Sequence, residues 1–171
     1  MKEEPRTLGL ALGGGAFRGT AHLGVLKALE EEGLRPGFLC GTSAGAMAAA
    51  FYAFGMAPEE IRNIARNLRW LKVTNLTFSK LGLLSNNEIG KFIEKYLGDV
   101  LIEDSSIPLA IVAADISTGE KVVFKTGSLA DAIMASTCIP GVFMPAQIKG
   151  RMLVDGAIVE NVPVKVLKDM G

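Results

Sequence analysis

Apolar positions in this sequence come in short runs and helical repeats, and glycine separates most of them. Residues 7–12 form a brief apolar run that ends in Gly13-Gly14-Gly15, the pattern of a buried strand entering a glycine turn. Over 19–32, Ala21, Leu23, Val25, Leu26 and Leu29 recur at helical spacing, and Gly33 supplies the stop. A second short strand is predicted over 38–40, again ending in glycine. Residues 44–53 are alanine-rich and uncharged, which predicts a helix buried on most sides and closed by Gly55. Pro58 opens a third helix, to about residue 68, at a position where its missing N–H is harmless and Glu59 and Glu60 favour the first turn.

Beyond an irregular stretch over 70–84, Ser85-Asn86-Asn87-Glu88 reads as a capping box that starts a helix to about residue 97. Strands over 109–114 and 121–125 flank a Ser117-Thr118-Gly119 turn, and 128–136 reads as a short helix. Residues 147–148 and 152–154 flank Lys149-Gly150 as a hairpin, and 163–170 reads as a last helix. Alternating strands and helices at the front imply right-handed crossovers and a parallel sheet with helices on both faces. Such a layout ordinarily returns to the sheet after a helix, so the stop at Gly171 has the look of a trimmed C-terminus.

Composition narrows the class. At 171 residues, one domain spanning 1–171 is expected and two ordinary ones would not fit. Hydrophobic residues make up 49% and charged residues 21%, which excludes intrinsic disorder. Lys plus Arg and Asp plus Glu both number 18, so the basic excess of a nucleic-acid binder is missing. Twenty glycines, about 12% of the chain, exceed the usual ~7% and gather at junctions. The first apolar run is too short for a secretory signal, and no stretch approaches the roughly 18 apolar residues of a spanning helix, so a cytoplasmic location is expected. Cys40 and Cys138 lack CxxC spacing and a neighbouring histidine; two buried reduced thiols are expected, with neither metal nor organic cofactor.

The candidate chemistry centres on Gly41-Thr42-Ser43-Ala44-Gly45, between a predicted strand and a predicted helix. A G-x-S-x-G nucleophile elbow requires that context: a turn too tight for bulk at its flanks pushes the serine hydroxyl out near a helix N-terminus. The one histidine, His22, precedes Ser43 and lies beside the glycine loop, where a loop-fixing hydrogen bond suits it better than base chemistry. A Ser-His-Asp triad is therefore not expected, and the base is a carboxylate, a lysine or an absent partner. The best carboxylate is Asp155, at a predicted strand end before Gly156 and Ala157, although an Asp there taken alone reads as a turn or cap residue.

With these residues together, the chain resembles the patatin-like phospholipases, in the bacterial branch similar to the catalytic domain of neuropathy target esterase. The resemblance runs through residues 12–19, Ala21-His22-Leu23-Gly24-Val25-Leu26, the elbow, residues 135–141, and Asp155-Gly156-Ala157 with Asn161-Val162-Pro163. It implies a three-layer α/β/α fold around a mostly parallel sheet. It also implies a dyad of Ser43 as nucleophile and Asp155 as base, and an oxyanion hole from the glycine loop, carried onto Gly14 and Gly15 with Ala16 and Arg18 beside them. Gly13, Gly19, Gly41, Gly45, Gly156 and Ala157 support these motifs. The implied substrate is a lipid acyl ester such as a lysophospholipid, phospholipid or monoacyl ester, with any contact to the inner membrane surface peripheral and transient.

Successive backbone N–H groups can converge on an oxyanion where side chains do not intervene. An aspartate with a pKa near 4 is a weak base for an alcohol, so Asp155 should be partly desolvated. Two departures from the family pattern stand out. Counting back from Arg18-Gly19, Ala16 replaces a glycine and Phe17 a small residue, and a positive φ at position 16 would strain the alanine. Gly37 replaces an acidic residue often found before the elbow.

Rival readings are weaker. A Rossmann site lacks the acidic residue after its second strand, and a P-loop lacks Gly-Lys-Ser/Thr. Two alternatives share the motifs: a lipid acyltransferase, in which an alcohol replaces water, and a catalytically weak lipid-binding module. Residues 70–84, with Trp70, Phe78 and several leucines among few charges, read either as a tunnel wall or lid against lipid or, more plainly, as core packing. Met47, Met134 and Met144 line an apolar pocket or fill the core.

Overall fold

Strand β3 (Leu109–Asp115) is buried along its whole length, and the rest of the sheet is laid against it. The computed structural model describes residues 7–67 and 85–171. Before β3 come β1 (Gly9–Leu12), α1 (Thr20–Glu31), β2 (Phe38–Thr42), α2 (Ala44–Ala53), α3 (Pro58–Asn67) and α4 (Asn87–Leu97). After it come β4 (Lys121–Phe124), α5 (Leu129–Ser136), β5 (Ala146–Ile148), β6 (Arg151–Asp155) and α6 (Val164–Lys168).

The register explains how the ends of the chain meet. β1, β2 and β3 are parallel, with Leu39 opposite Leu109 and Thr42 opposite Val112. β4 runs antiparallel along β3 and occupies its far edge from Ile111 to Ala114. β6 is also antiparallel and pairs Asp155 with Ala113 and Val154 with Ala114. Since β4 already fills the other edge at both residues, β6 lies on the edge used by β2, just beyond its end. The C-terminal ends of β2 and β6 therefore point at each other, Thr42 against Val112 and Asp155 one residue on. β5 closes the sheet as a hairpin whose turn has Lys149 and Gly150 at φ +50° and +77°, the two positive φ values of a tight primed turn.

Period-two alternation divides the strands between two cores. Leu39, Leu109 and Ile111 pack with α1 to α5, whereas Cys40, Ala110 and Val112 pack with Val166 of α6. α2 is buried almost all round, and its alanines let it lie close to the sheet. This is an α/β fold with a mixed, partly parallel sheet and helices on both faces.

Local expectations changed in three places. β2 continues through Gly41 to Thr42 because both are paired to β3. A 3-10 turn over Ala16–Gly19 precedes α1. The capping box does not form: Asn86 is the cap position of α4, and its buried amide instead donates to the Met134 carbonyl at 2.6 Å, tying α4 to the end of α5. Residues 70–84 lie outside the described residues.

Candidate active site

Ser43 sits between the last residue of β2 and the first of α2, with φ +55° and ψ −123°. A serine in that region of backbone space costs about 1–3 kcal/mol and persists only where its surroundings fix it. Here backbone fixes it. A β-carbon on Gly41 would lie 2.5 Å from Ala46 Cα, and one on Gly45 2.1 Å from the Leu12 carbonyl oxygen. The Ser43 N–H donates at 2.8 Å to the hydroxyl of Ser136, which itself donates at 2.7 Å to the Val112 carbonyl. Ser136, at the end of α5, is thus the strut beneath the elbow. The sequence signal for it was its place in the 135–141 motif, which carried no role.

The head-on approach of β2 and β6 brings the two predicted residues together. Ser43 Oγ donates to Asp155 Oδ2 at 2.6 Å, and Asp155 Oδ1 accepts the Ala157 N–H at 2.9 Å. Ser43 is 8% exposed and Asp155 5%. Burial raises the Asp155 pKa above its ordinary 3.8, while the Ser43 hydroxyl and the Ala157 amide pull it back. A net rise makes the carboxylate a better base for a hydroxyl. Gly156 follows because a β-carbon there would lie 2.4 Å from the Val112 carbonyl oxygen.

The glycine loop lies on the other side of the serine. His22 Nε2 donates to the Gly13 carbonyl at 2.7 Å, the loop-fixing role expected of it. Gly19 has no room for a side chain because Ala44 Cβ would lie 2.6 Å away. The Arg18 N–H closes the 3-10 turn onto the Gly15 carbonyl at 2.9 Å, and its guanidinium is exposed. Ala16 does adopt the positive φ that threatened strain, +48°. It remains exposed, as does Gly15 beside it. Gly14 meets Asn161, a residue named in the sequence motif without a task.

An apolar pocket of about 290 Å³ opens against Ala16, Phe17 and Ala44 and runs between α1, α2 and α3 over Leu23, Phe51 and Ile61. Met47 lines it, whereas Met134 and Met144 line a separate, more polar hollow near Asn86. Both cysteines are free and buried; burial pushes Cys40 up to about 12 and Cys138 up to about 11, so they are neutral thiols. Among the described residues, no cluster of three His, Cys, Asp or Glu side chains could hold a metal, and no helix is long and apolar enough to cross a membrane.

The family model described as patatin-like phospholipase matches residues 10–168. An NTE family protein of Mycobacterium tuberculosis is 37% identical over 158 residues, covering 91% of this chain and 44% of the relative. The lysophospholipase NTE1 of Mycosarcoma maydis is 34% identical over 173 residues, covering 96% of this chain and 9% of that protein. The chain thus spans less than half the length of the curated relatives it matches. VipD from Legionella pneumophila is similar in fold, with a TM-score of 0.72 at 18% identity over 93% of this chain and 47% of that one.

Proposed function

Since the chain belongs to the patatin-like phospholipase family, we propose that it is a serine acyl hydrolase that cleaves lipid acyl esters through Ser43 and Asp155. The observation that carries this reading is the 2.6 Å hydrogen bond from Ser43 Oγ to a buried carboxylate across 112 residues of sequence. Asp155 takes the Ser43 proton as Oγ attacks the ester carbonyl. The carbonyl electrons collect on the oxyanion, which backbone amides of the glycine loop hold. Collapse of the intermediate expels the alcohol, which leaves with the proton from Asp155. Water then enters with Asp155 again as base, and the acyl-serine is released as a carboxylic acid.

The apolar pocket beside Ala44 supports a long acyl group over a small one. Each buried methylene contributes about 0.8 kcal/mol, roughly fourfold in kcat/KM.

The test is p-nitrophenyl ester hydrolysis across acyl lengths by wild type, Ser43→Ala and Asp155→Ala. Wild type should turn over, with kcat/KM rising with acyl length from acetate upward, and both variants should fall to background while folded. A wild type that binds lipid but hydrolyses no ester would make it a binding module. Activity surviving in Asp155→Ala would place the base elsewhere.

A further inference from the structure

One amide of the glycine loop is already engaged. The Gly14 N–H donates to Asn161 Oδ1 at 3.0 Å and to the Asn161 carbonyl at 3.2 Å. A β-carbon on Gly14 would lie 2.7 Å from Asn161 Oδ1 and 3.0 Å from Ser43 Cβ, so the carboxamide and the serine crowd the same point. An N–H shared between two oxygens has no direction left for a third, and those oxygens oppose an anion beside them.

Asn161 is held from both sides. The Glu160 carbonyl accepts from Thr42 Oγ1 at 3.1 Å, and the Glu160 carboxylate accepts from Lys121 Nζ at 2.5 Å and from the Lys165 N–H at 3.2 Å. On the other flank, Val162 lies against Gly13, where a β-carbon would come within 3.0 Å of it. One seam therefore fastens the segment after Asp155 both to the residue before Ser43 and to the glycine loop. The next two amides differ. The Gly15 and Ala16 N–H groups have no acceptor among the described residues, and both residues are exposed.

We propose that Asn161 is a positioning residue: it withdraws the Gly14 N–H from the oxyanion hole and holds the loop so that the Gly15 and Ala16 amides form it. The proposal rests on the Ser43 hydrolase reading and moves the hole one residue along from Gly14 and Gly15. It also accounts for Ala16 at positive φ, since that conformation turns the 15–16 and 16–17 peptides differently from an unstrained alanine and is kept at a cost.

The test replaces single amides by esters in the full chain, with α-hydroxy acids at 14, 15 or 16, beside Asn161→Ala. The readouts are kcat and KM on a p-nitrophenyl ester and affinity for an alkyl trifluoromethyl ketone, which forms a tetrahedral adduct with the serine. An ester at 15 or 16 should lower kcat about 100-fold and weaken the ketone in parallel. An ester at 14, which removes both Gly14 hydrogen bonds, should cost only about tenfold in kcat at constant KM. Asn161→Ala, which removes the Oδ1 bond alone, should cost no more, and adding it to the ester should cost nothing further, because its contact is already broken.

Equal losses at 14, 15 and 16 that multiply with Asn161→Ala would overturn the proposal, as would a rise in kcat in Asn161→Ala. Should the ester chains not fold, Asn161→Ala decides alone: ketone affinity falling with kcat at constant KM supports the proposal, and unchanged ketone affinity overturns it. Ser43→Ala separates the two levels. If it retains turnover, the hydrolase reading has failed; if it abolishes turnover while the amide arms disagree, only the make-up of the hole is wrong.

Discussion

The turn around Ser43 and the loop from Gly13 to Gly19 both set glycines beside the candidate chemistry, and they do so for different reasons. At the turn, β-carbons on Gly41 and Gly45 would strike backbone at 2.5 and 2.1 Å. On the loop, a β-carbon on Gly15 would meet Arg18 Cβ at 3.3 Å and the Gly19 nitrogen at 3.9 Å, and position 16 already carries one. The turn is held by packing against main chain that cannot yield. The loop is held mainly by hydrogen bonds, from His22 to Gly13 and from Gly14 to Asn161, and its outer rim faces solvent. Change at the turn should therefore register first in folding, and change at the loop's supports first in rate.

The largest effect should come from Gly45→Ala, which forces a methyl group into the Leu12 carbonyl. We expect a loss of about 3 kcal/mol or more in denaturant unfolding, against less than about 1 kcal/mol for Gly15→Ala. Equal losses at the two sites would break the distinction. Next comes Ser136→Ala, which orphans the buried Ser43 N–H. Stability should drop by about 1–3 kcal/mol, and kcat should fall about tenfold at constant KM because the serine tilts away from Asp155. Unchanged kcat would remove Ser136 from the elbow's support.

Acidity should separate rate from stability. The folded-state pKa of Asp155 lies above its ordinary 3.8, mainly through burial, so the fold disfavours the ionised form. This group's contribution to stability is full below the ordinary value and is lost as pH rises through the raised one. Rate follows the opposite course, since the base must be ionised: kcat/KM should fall on acidification at a pH above the usual aspartate range. Asp155→Asn should accordingly melt higher than wild type at neutral pH while being inactive, and a lower melting temperature would count against the account. The smallest effect belongs to Ala16→Gly. Relief of the left-handed strain, offset by a looser unfolded chain, should stabilise by about 0.5 kcal/mol in the same unfolding assay.

Much of this was legible in the sequence where the signal is local. The strand-turn-helix around Ser43, the uncharged α2 and the Lys149-Gly150 hairpin each follow from residues close in the chain. Asp155 stands out in the sequence as the best carboxylate, but its pairing with Ser43 is expected through resemblance, because no periodicity tells which edge of β3 the last hairpin will take. Ser136 and Asn161 were visible as motif members and silent as to task. A serine at the end of a helix and an asparagine in a loop are common, and only the long-range pairing of β2 and β6 with β3 shows what they touch. Asn86 illustrates the reverse case: its local pattern promised a capping box, and a buried carbonyl on α5 won its amide instead.

The head-on meeting of β2 and β6 has a consequence for the order of events at the ribosome. The serine is synthesised 112 residues ahead of its carboxylate partner. Helix α2 and the parallel strands can begin to assemble while the hairpin that carries the partner is still inside the exit tunnel. Loop closure over such a span is among the slower steps available to a small domain. Until the last strand docks the serine has no carboxylate partner, and by this arrangement the proposed dyad would be assembled only at that step.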